Sequence, residues 1–153
     1  MAVKLTVNGQ SLEVDVDPST PLLYVLRNDA MINSAKYGCG VGQCGACAVL
    51  LDDQVVLSCT LPVGNVKGNI KTLESYESDR TLNALNKAFI AEQAVQCGYC
   101  ISGMMIRAKS LLDVNKHPSV QQIKDTLQGH LCRCGTHTRI IKAIQRASQE
   151  LSA

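Results

Sequence analysis

Apolar and polar residues alternate along "VKLTV" and again along "SLEVDV", and Asn8-Gly9 stands between the two runs. A period of two puts one face of a strand inward, so these runs predict a β-hairpin. "DPSTPLLYVLRND" changes the period. Leu22, Leu23, Val25 and Leu26 fall on one side of a short helix, with Thr20 as its cap and Pro21 in its first turn. "AVLLDDQVVLSC" predicts a second hairpin turning at Asp52-Asp53, and Ile70 to Leu73 a last strand. Together they make a small mixed sheet with one helix across it.

Near residue 75 the pattern becomes helical throughout. Leu82, Leu85 and Phe89 share one spacing, as do Ile101, Met104, Met105, Ala108 and Leu112. Ser119 and Gln122 form a capping box before Val120, Ile123 and Leu127, and Ile140, Ile141, Ile144 and Leu151 close the chain. Four helices with short links predict a helical bundle. The chain therefore divides into residues 1–75, β-rich, and 76–153, helical, an α+β protein. Met104-Met105 reads as core packing. Arg139, Lys142 and Arg146 read as a solvated face.

Composition narrows the function. A formal net charge of +2 gives no case for nucleic acid as partner. No apolar run is long enough for a bilayer, and the alternating, charged start is not a signal peptide. The anomaly is eight cysteines. A disulfide framework suits small exported domains without a core, and this chain has core-forming sequence and no export signal.

The cysteines divide four and four. Cys39, Cys44, Cys47 and Cys59 read C-x4-C-x2-C-x11-C, and the first three spacings match the plant-type [2Fe–2S] pattern. The loop "YGCGVGQCGACAVL" is rich in glycine, which lets backbone N–H groups approach an anionic cluster without side-chain clash. A structural zinc site is the alternative, but zinc usually draws on two C-x2–4-C pairs. Cys97, Cys100, Cys132 and Cys134 read C-x2-C-x31-C-x-C. They stand at the starts of two predicted helices, from Gly98 and from Thr138, where anions are favoured. Zinc remains the alternative here as well. Cys97-Gly98-Tyr99-Cys100 lacks the βαβ setting of a thioredoxin-like dithiol. His117 is read as loop, His130 and His137 as flanking the second set, and none as a ligand.

Both sets together resemble the small iron–sulfur subunit of the molybdenum hydroxylases, the xanthine dehydrogenase and aldehyde oxidase family. "KYGCGVGQCGAC", "LSCTLPV", "VQCGYCISGMM" and "GHLCRCGTHTRI" carry the resemblance, which covers nearly the whole chain. It implies a β-grasp, ferredoxin-like domain followed by a four-helix bundle, each holding one [2Fe–2S] cluster. It also implies a molybdopterin-bearing large subunit, with Gln96 contacting the pterin and Cys134 both ligating iron and neighbouring the pterin edge. The sequence departs from the frequent C-R-C-T-G-Y in reading C-R-C-G-T-H, similar to the isoquinoline and nicotinate oxidoreductase branch. For the electron acceptor, that branch favours a cytochrome c subunit over an FAD subunit.

The function so implied is electron transfer inside an enzyme that oxidises N-heteroaromatics or aldehydes with oxygen from water. The chain itself offers no acid, base or nucleophile for that chemistry. A zinc-stabilised interaction module and a free ferredoxin-like shuttle are the rival readings. The expected compartment is the cytoplasm, or the periplasm and its membrane surface if the chain is exported with its partner.

Overall fold

A computed structural model of the chain describes residues 2–153. Strands β1 (Ala2–Val7) and β2 (Gln10–Asp15) form the first hairpin. Helix α1 (Leu22–Asn28) follows, then the hairpin of β3 (Ala48–Leu51) and β4 (Gln54–Leu57), then β5 (Asn69–Lys71). The sheet order is β2-β1-β5-β3-β4. Only β1 and β5 run parallel; the other neighbours are antiparallel.

Both hairpin turns use left-handed backbone at the residues the sequence marks. Asn8 and Gly9 have φ of 50° and 80°, Asp52 and Asp53 of 46° and 64°. Asn, Asp and Gly tolerate that region because their side chains are short or absent.

Helix α1 begins at Leu22, and no side chain caps it. Thr20 is therefore not its cap. The first helical donors are satisfied from across the chain instead: Leu22 N–H donates to the Leu61 carbonyl at 2.8 Å and Leu23 N–H to that of Ser58 at 3.0 Å. The last strand is shorter than expected. It stops at Lys71 because Asn8 seizes Thr72 on both sides, accepting its N–H and donating to its hydroxyl, each at 2.8 Å. Leu73 already starts a 3-10 turn.

The second half holds α2 (Arg80–Ala91), α3 (Ile101–Val114), α4 (Val120–Thr126) and α5 (His137–Ser152). Asp79 caps α2, and Ser119 with Gln122 forms the full capping box on α4. Helices α3 and α5 start at Ile101 and His137, close to the expected Gly98 and Thr138. Among the described residues no helix is long and apolar enough to cross a membrane.

Strand β3 is two-faced. Ala48 and Leu50 pack with Leu82, Leu85, Phe89, Met104, Met105 and Ile144 in the helical core. Val49 packs on the other side with Leu22, Leu26, Leu5 and Ile70. The period of two thus serves two cores at once. Met104 and Met105 are fully inside. On the last helix Arg139, Lys142 and Arg146 are all exposed.

One buried ionic cluster joins the halves. Lys109 of α3, with 5% of its side chain exposed, lies 3.0 Å from Asp79 and 2.6 Å from Asp113. Lys71 of β5 reaches the same Asp79 at 3.1 Å.

Candidate metal centres

Cys39, Cys44 and Cys47 occupy the loop between α1 and β3, and Cys59 follows β4. This loop turns its amides onto sulfur. Cys39 Sγ accepts N–H groups from Val41, Gln43 and Cys44 at 3.4, 3.2 and 3.4 Å. Those three bonds, led by Gln43, bring the Cys39 thiol down to about 6. Cys44 Sγ accepts the N–H of Cys39 at 3.4 Å. A side chain on Gly38 could not coexist with this wrapping, because its Cβ would stand 2.5 Å from Cys44 Sγ. Burial pushes the Cys47 thiol up to about 11. A buried thiolate is costly unless a cation accompanies it, so Cys47 is a neutral thiol by itself and a ligand only with a metal beside it.

Cys97 and Cys100 lie between α2 and α3, and Cys132 and Cys134 between α4 and α5. Burial pushes Cys100 up to about 12. Cys132 falls to about 7: burial opposes this, and hydrogen bonding to Thr136, whose hydroxyl lies 3.2 Å from the sulfur, outweighs it. Cys97 is lowered chiefly by the Tyr99 amide. None of the eight thiols is in a disulfide.

Each set of four is linked in space. Cys39 interacts with Cys44, and Cys47 with both Cys59 and Cys44. Cys97 interacts with Cys134 and Cys132, and Cys100 with Cys132 and Cys97. Among the described residues no three His, Cys, Asp or Glu side chains converge as ligands of a single ion do.

The two sets meet along a seam that the sequence does not announce. Leu131 N–H donates to the Cys44 carbonyl at 3.0 Å. The Tyr99 hydroxyl donates to the Tyr37 carbonyl, and the Ser102 hydroxyl to that of Ser34. Gly103 of α3 presses on the loop so closely that a Cβ there would come 2.1 Å from the Gly45 oxygen. Glu74 braces the approach to Cys39, accepting the N–H groups of Asn33 and Ser34 at 3.0 and 2.8 Å and the Ser34 hydroxyl at 2.6 Å.

His130 belongs to this seam rather than merely flanking the second set. It is 7% exposed, and neither ring nitrogen meets a partner at full hydrogen-bond geometry, the Gln128 backbone interacting with the ring only weakly. A Cβ on Gly45 would fall 2.5 Å from the imidazole Cδ2. Burial, and then the nearby Arg107, lower its pKa.

Gln96 is exposed immediately before Cys97. It borders a surface depression of about 570 Å³, shared with Phe89, Ile90, Val95 and Arg139. It caps no helix, since α3 begins after Cys100 without a side-chain cap.

Two family models match the chain. The 2Fe-2S iron-sulfur cluster binding domain covers residues 5–86, and the [2Fe-2S] binding domain covers residues 72–145. A nicotinate dehydrogenase subunit of Pseudomonas putida is 49% identical over 96% of this chain and 94% of its own. The chain belongs to the iron–sulfur subunits of the molybdenum hydroxylases.

Other members of this family show the same reach. The alpha subunit of isoquinoline 1-oxidoreductase from Brevundimonas diminuta is 40% identical over 97% of this chain and 98% of its own. A chain of quinoline 2-oxidoreductase from Pseudomonas putida 86 superposes with a TM-score of 0.91 at 36% identity, over 99% of this chain and 95% of that one. In the aldehyde oxidoreductase of Desulfovibrio gigas the matching region, 34% identical, covers 99% of this chain but only 17% of a much longer one, with a TM-score of 0.90. As a member of the family, the chain is the iron–sulfur subunit of a molybdopterin-dependent oxidoreductase.

Proposed function

We propose that this chain carries electrons from a molybdopterin centre on a large partner subunit to an external acceptor, through two [2Fe–2S] clusters. Cys39, Cys44, Cys47 and Cys59 hold one cluster; Cys97, Cys100, Cys132 and Cys134 hold the other. The observation that carries this reading is the loop that turns the Val41, Gln43 and Cys44 amides onto Cys39 Sγ, in a chain matched by two [2Fe-2S] domain models. Amides aimed at sulfur, with the C-x4-C-x2-C spacing, suit an anionic two-iron cluster. The clusters supply the one-electron chemistry; the protein supplies spacing, orientation and hydrogen bonds to sulfur.

The β-grasp unit to about residue 75 carries the first cluster and a four-helix bundle from about residue 76 the second. The second cluster receives electrons from the partner. Gln96, exposed beside Cys97, contacts the pterin, and Cys134 lies at its edge. An amide matches a pterin edge because it offers both donors and an acceptor.

The relatives named for nicotinate, isoquinoline and quinoline favour an N-heteroaromatic as the substrate of the partner, over an aldehyde. Water supplies the oxygen. The C-R-C-G-T-H sequence favours, for the acceptor, a cytochrome c subunit over an FAD subunit.

Metal and sulfide analysis of the complex tests the core of this reading. Two binuclear clusters require about four irons and about four acid-labile sulfides per chain. Zinc in place of iron, or half the iron, overturns it. Gln96→Ala tests the pterin contact: both clusters assemble, substrate-driven reduction of the second slows, and dithionite reduction is unchanged. An unchanged rate with substrate removes Gln96 from the route.

A further inference from the structure

His130 is an unfavourable choice for its position. It is 7% exposed, and neither ring nitrogen meets a partner at full hydrogen-bond geometry; the Gln128 backbone acts on the ring weakly and leaves the other nitrogen free for a further contact. Buried polar groups in folded proteins are almost always hydrogen-bonded, and an apolar residue would fill the space without that cost. The ring lies directly on Gly45, between Cys44 and Cys47, and only glycine leaves room for it. Yet its backbone belongs to the segment that leads into Cys132, tied down by the Leu131–Cys44 bond at 3.0 Å. A neutral imidazole carries one N–H donor, and an iron–sulfur cluster is a dense set of sulfur acceptors.

We propose that His130 donates its imidazole N–H to a sulfur of the cluster held by Cys39, Cys44, Cys47 and Cys59. The proposal rests on the reading that those cysteines hold a [2Fe–2S] cluster. One residue of the second cluster's segment thereby tunes the first. A hydrogen bond to sulfur stabilises the reduced, more negative form, so His130 raises the first cluster's potential and favours electron flow toward it. His117 and His137, the other two histidines, are exposed, and the three atoms nearest a Gly45 Cβ all belong to His130.

The test uses the whole complex, made with histidine carrying nitrogen-15 only in the imidazole ring. Iron content and two resolved paramagnetic signals are checked first; if these are missing, the cluster reading fails and not the histidine assignment. With both signals present, pulsed electron paramagnetic resonance is expected to show ring-nitrogen coupling on the first cluster's signal. In His130→Phe the coupling disappears while that signal persists. The first cluster's reduced-to-oxidised ratio at a fixed potential falls about tenfold, a shift of about 59 mV for a one-electron couple. No ring-nitrogen coupling on the first cluster overturns the proposal, as does coupling that survives His130→Phe. An unmoved potential in that variant also overturns it. If His130→Phe does not assemble, the labelled unsubstituted complex decides alone.

Discussion

The backbone N–H of Leu131 donates to the carbonyl of Cys44 at 3.0 Å, so a residue adjoining Cys132 is bonded to a cysteine of the other set. A path from the Cys44 sulfur to the Cys132 sulfur therefore crosses one hydrogen bond and otherwise the covalent bonds of Cys44, Leu131 and Cys132 alone. When both candidate clusters are reduced, their unpaired spins are expected to interact. Electron paramagnetic resonance of the fully reduced complex, compared with the half-reduced complex, checks this. Splitting or broadening appears only when both are reduced; two signals that simply add would contradict the closeness.

Cys59 is the member of its set that lies outside the glycine-rich loop, and it is 8% exposed behind β4. Cys59→Ser is expected to remove the first cluster and leave the second. Iron falls from about four to about two per chain. The remaining paramagnetic signal is that of the second cluster, and loss of both would refute the independence of the two sites.

Gly103 sits in α3 where a Cβ would come 2.1 Å from the Gly45 oxygen. Backbone cannot step aside as a flexible side chain can. Gly103→Ala should cost about 1–3 kcal/mol, the range for overpacking a tight contact, read from the denaturant midpoint. The first cluster's spectrum should change with it, because the displaced loop carries Cys44 and Cys47. An unchanged midpoint would show that the seam is looser than the distances imply.

Lys109 neutralises Asp79 and Asp113 from inside the protein, with only 5% of its side chain exposed. Burial pulls its pKa down, and hydrogen bonds to Asp113 and Asp79 outweigh burial and hold it up. Removing Lys109 leaves Asp113 with the Thr81 hydroxyl and Asp79 with Lys71 and the Leu82 amide, a poorer match for two partly buried carboxylates. Lys109→Met is expected to cost about 3 kcal/mol by chemical denaturation. Asp79 also caps α2, so the double variant Lys109→Met, Asp79→Asn should lose less than the sum of its singles.

Glu74 is held below its ordinary 4.5: burial opposes this, and hydrogen bonds led by Ser34 outweigh it. A depressed carboxyl stabilises the fold fully above its unfolded value. That contribution fades as pH falls from 4.5 toward the lower folded value. Glu74→Gln is expected to lower the unfolding midpoint at neutral pH. The gap between parent and variant should close in acid, where both have lost the charge. A gap that is constant with pH would assign Glu74 a packing role instead.

Local chemistry was the legible part of this chain. Asn8-Gly9 and Asp52-Asp53 announce their turns because few other residues adopt left-handed backbone with so little strain. Ser119 and Gln122 announce a cap because both halves of the box lie within one turn. Thr20 misleads because the carbonyls that satisfy α1 come from Leu61 and Ser58, residues far along the chain. The eight cysteines are visible in the sequence, and their spacing divides them four and four. What stays hidden is the contact between the two sets. His130 looks like a bystander in sequence, since nothing beside it reveals that Gly45 lies against its ring. The Lys109 cluster is hidden for the same reason: Asp79 and Lys71 reach it from other elements.

Strand β3 gives one face to each core, Val49 to one side and Ala48 with Leu50 to the other. A gene cut near residue 75 would strip the helical cover from Ala48, Leu50 and Val55, a greasy wall open to water on an otherwise finished sheet. The first unit resembles a shuttle that could diffuse alone, but its back has been built as a party wall. The division near residue 75 thus runs along a wall that both cores share.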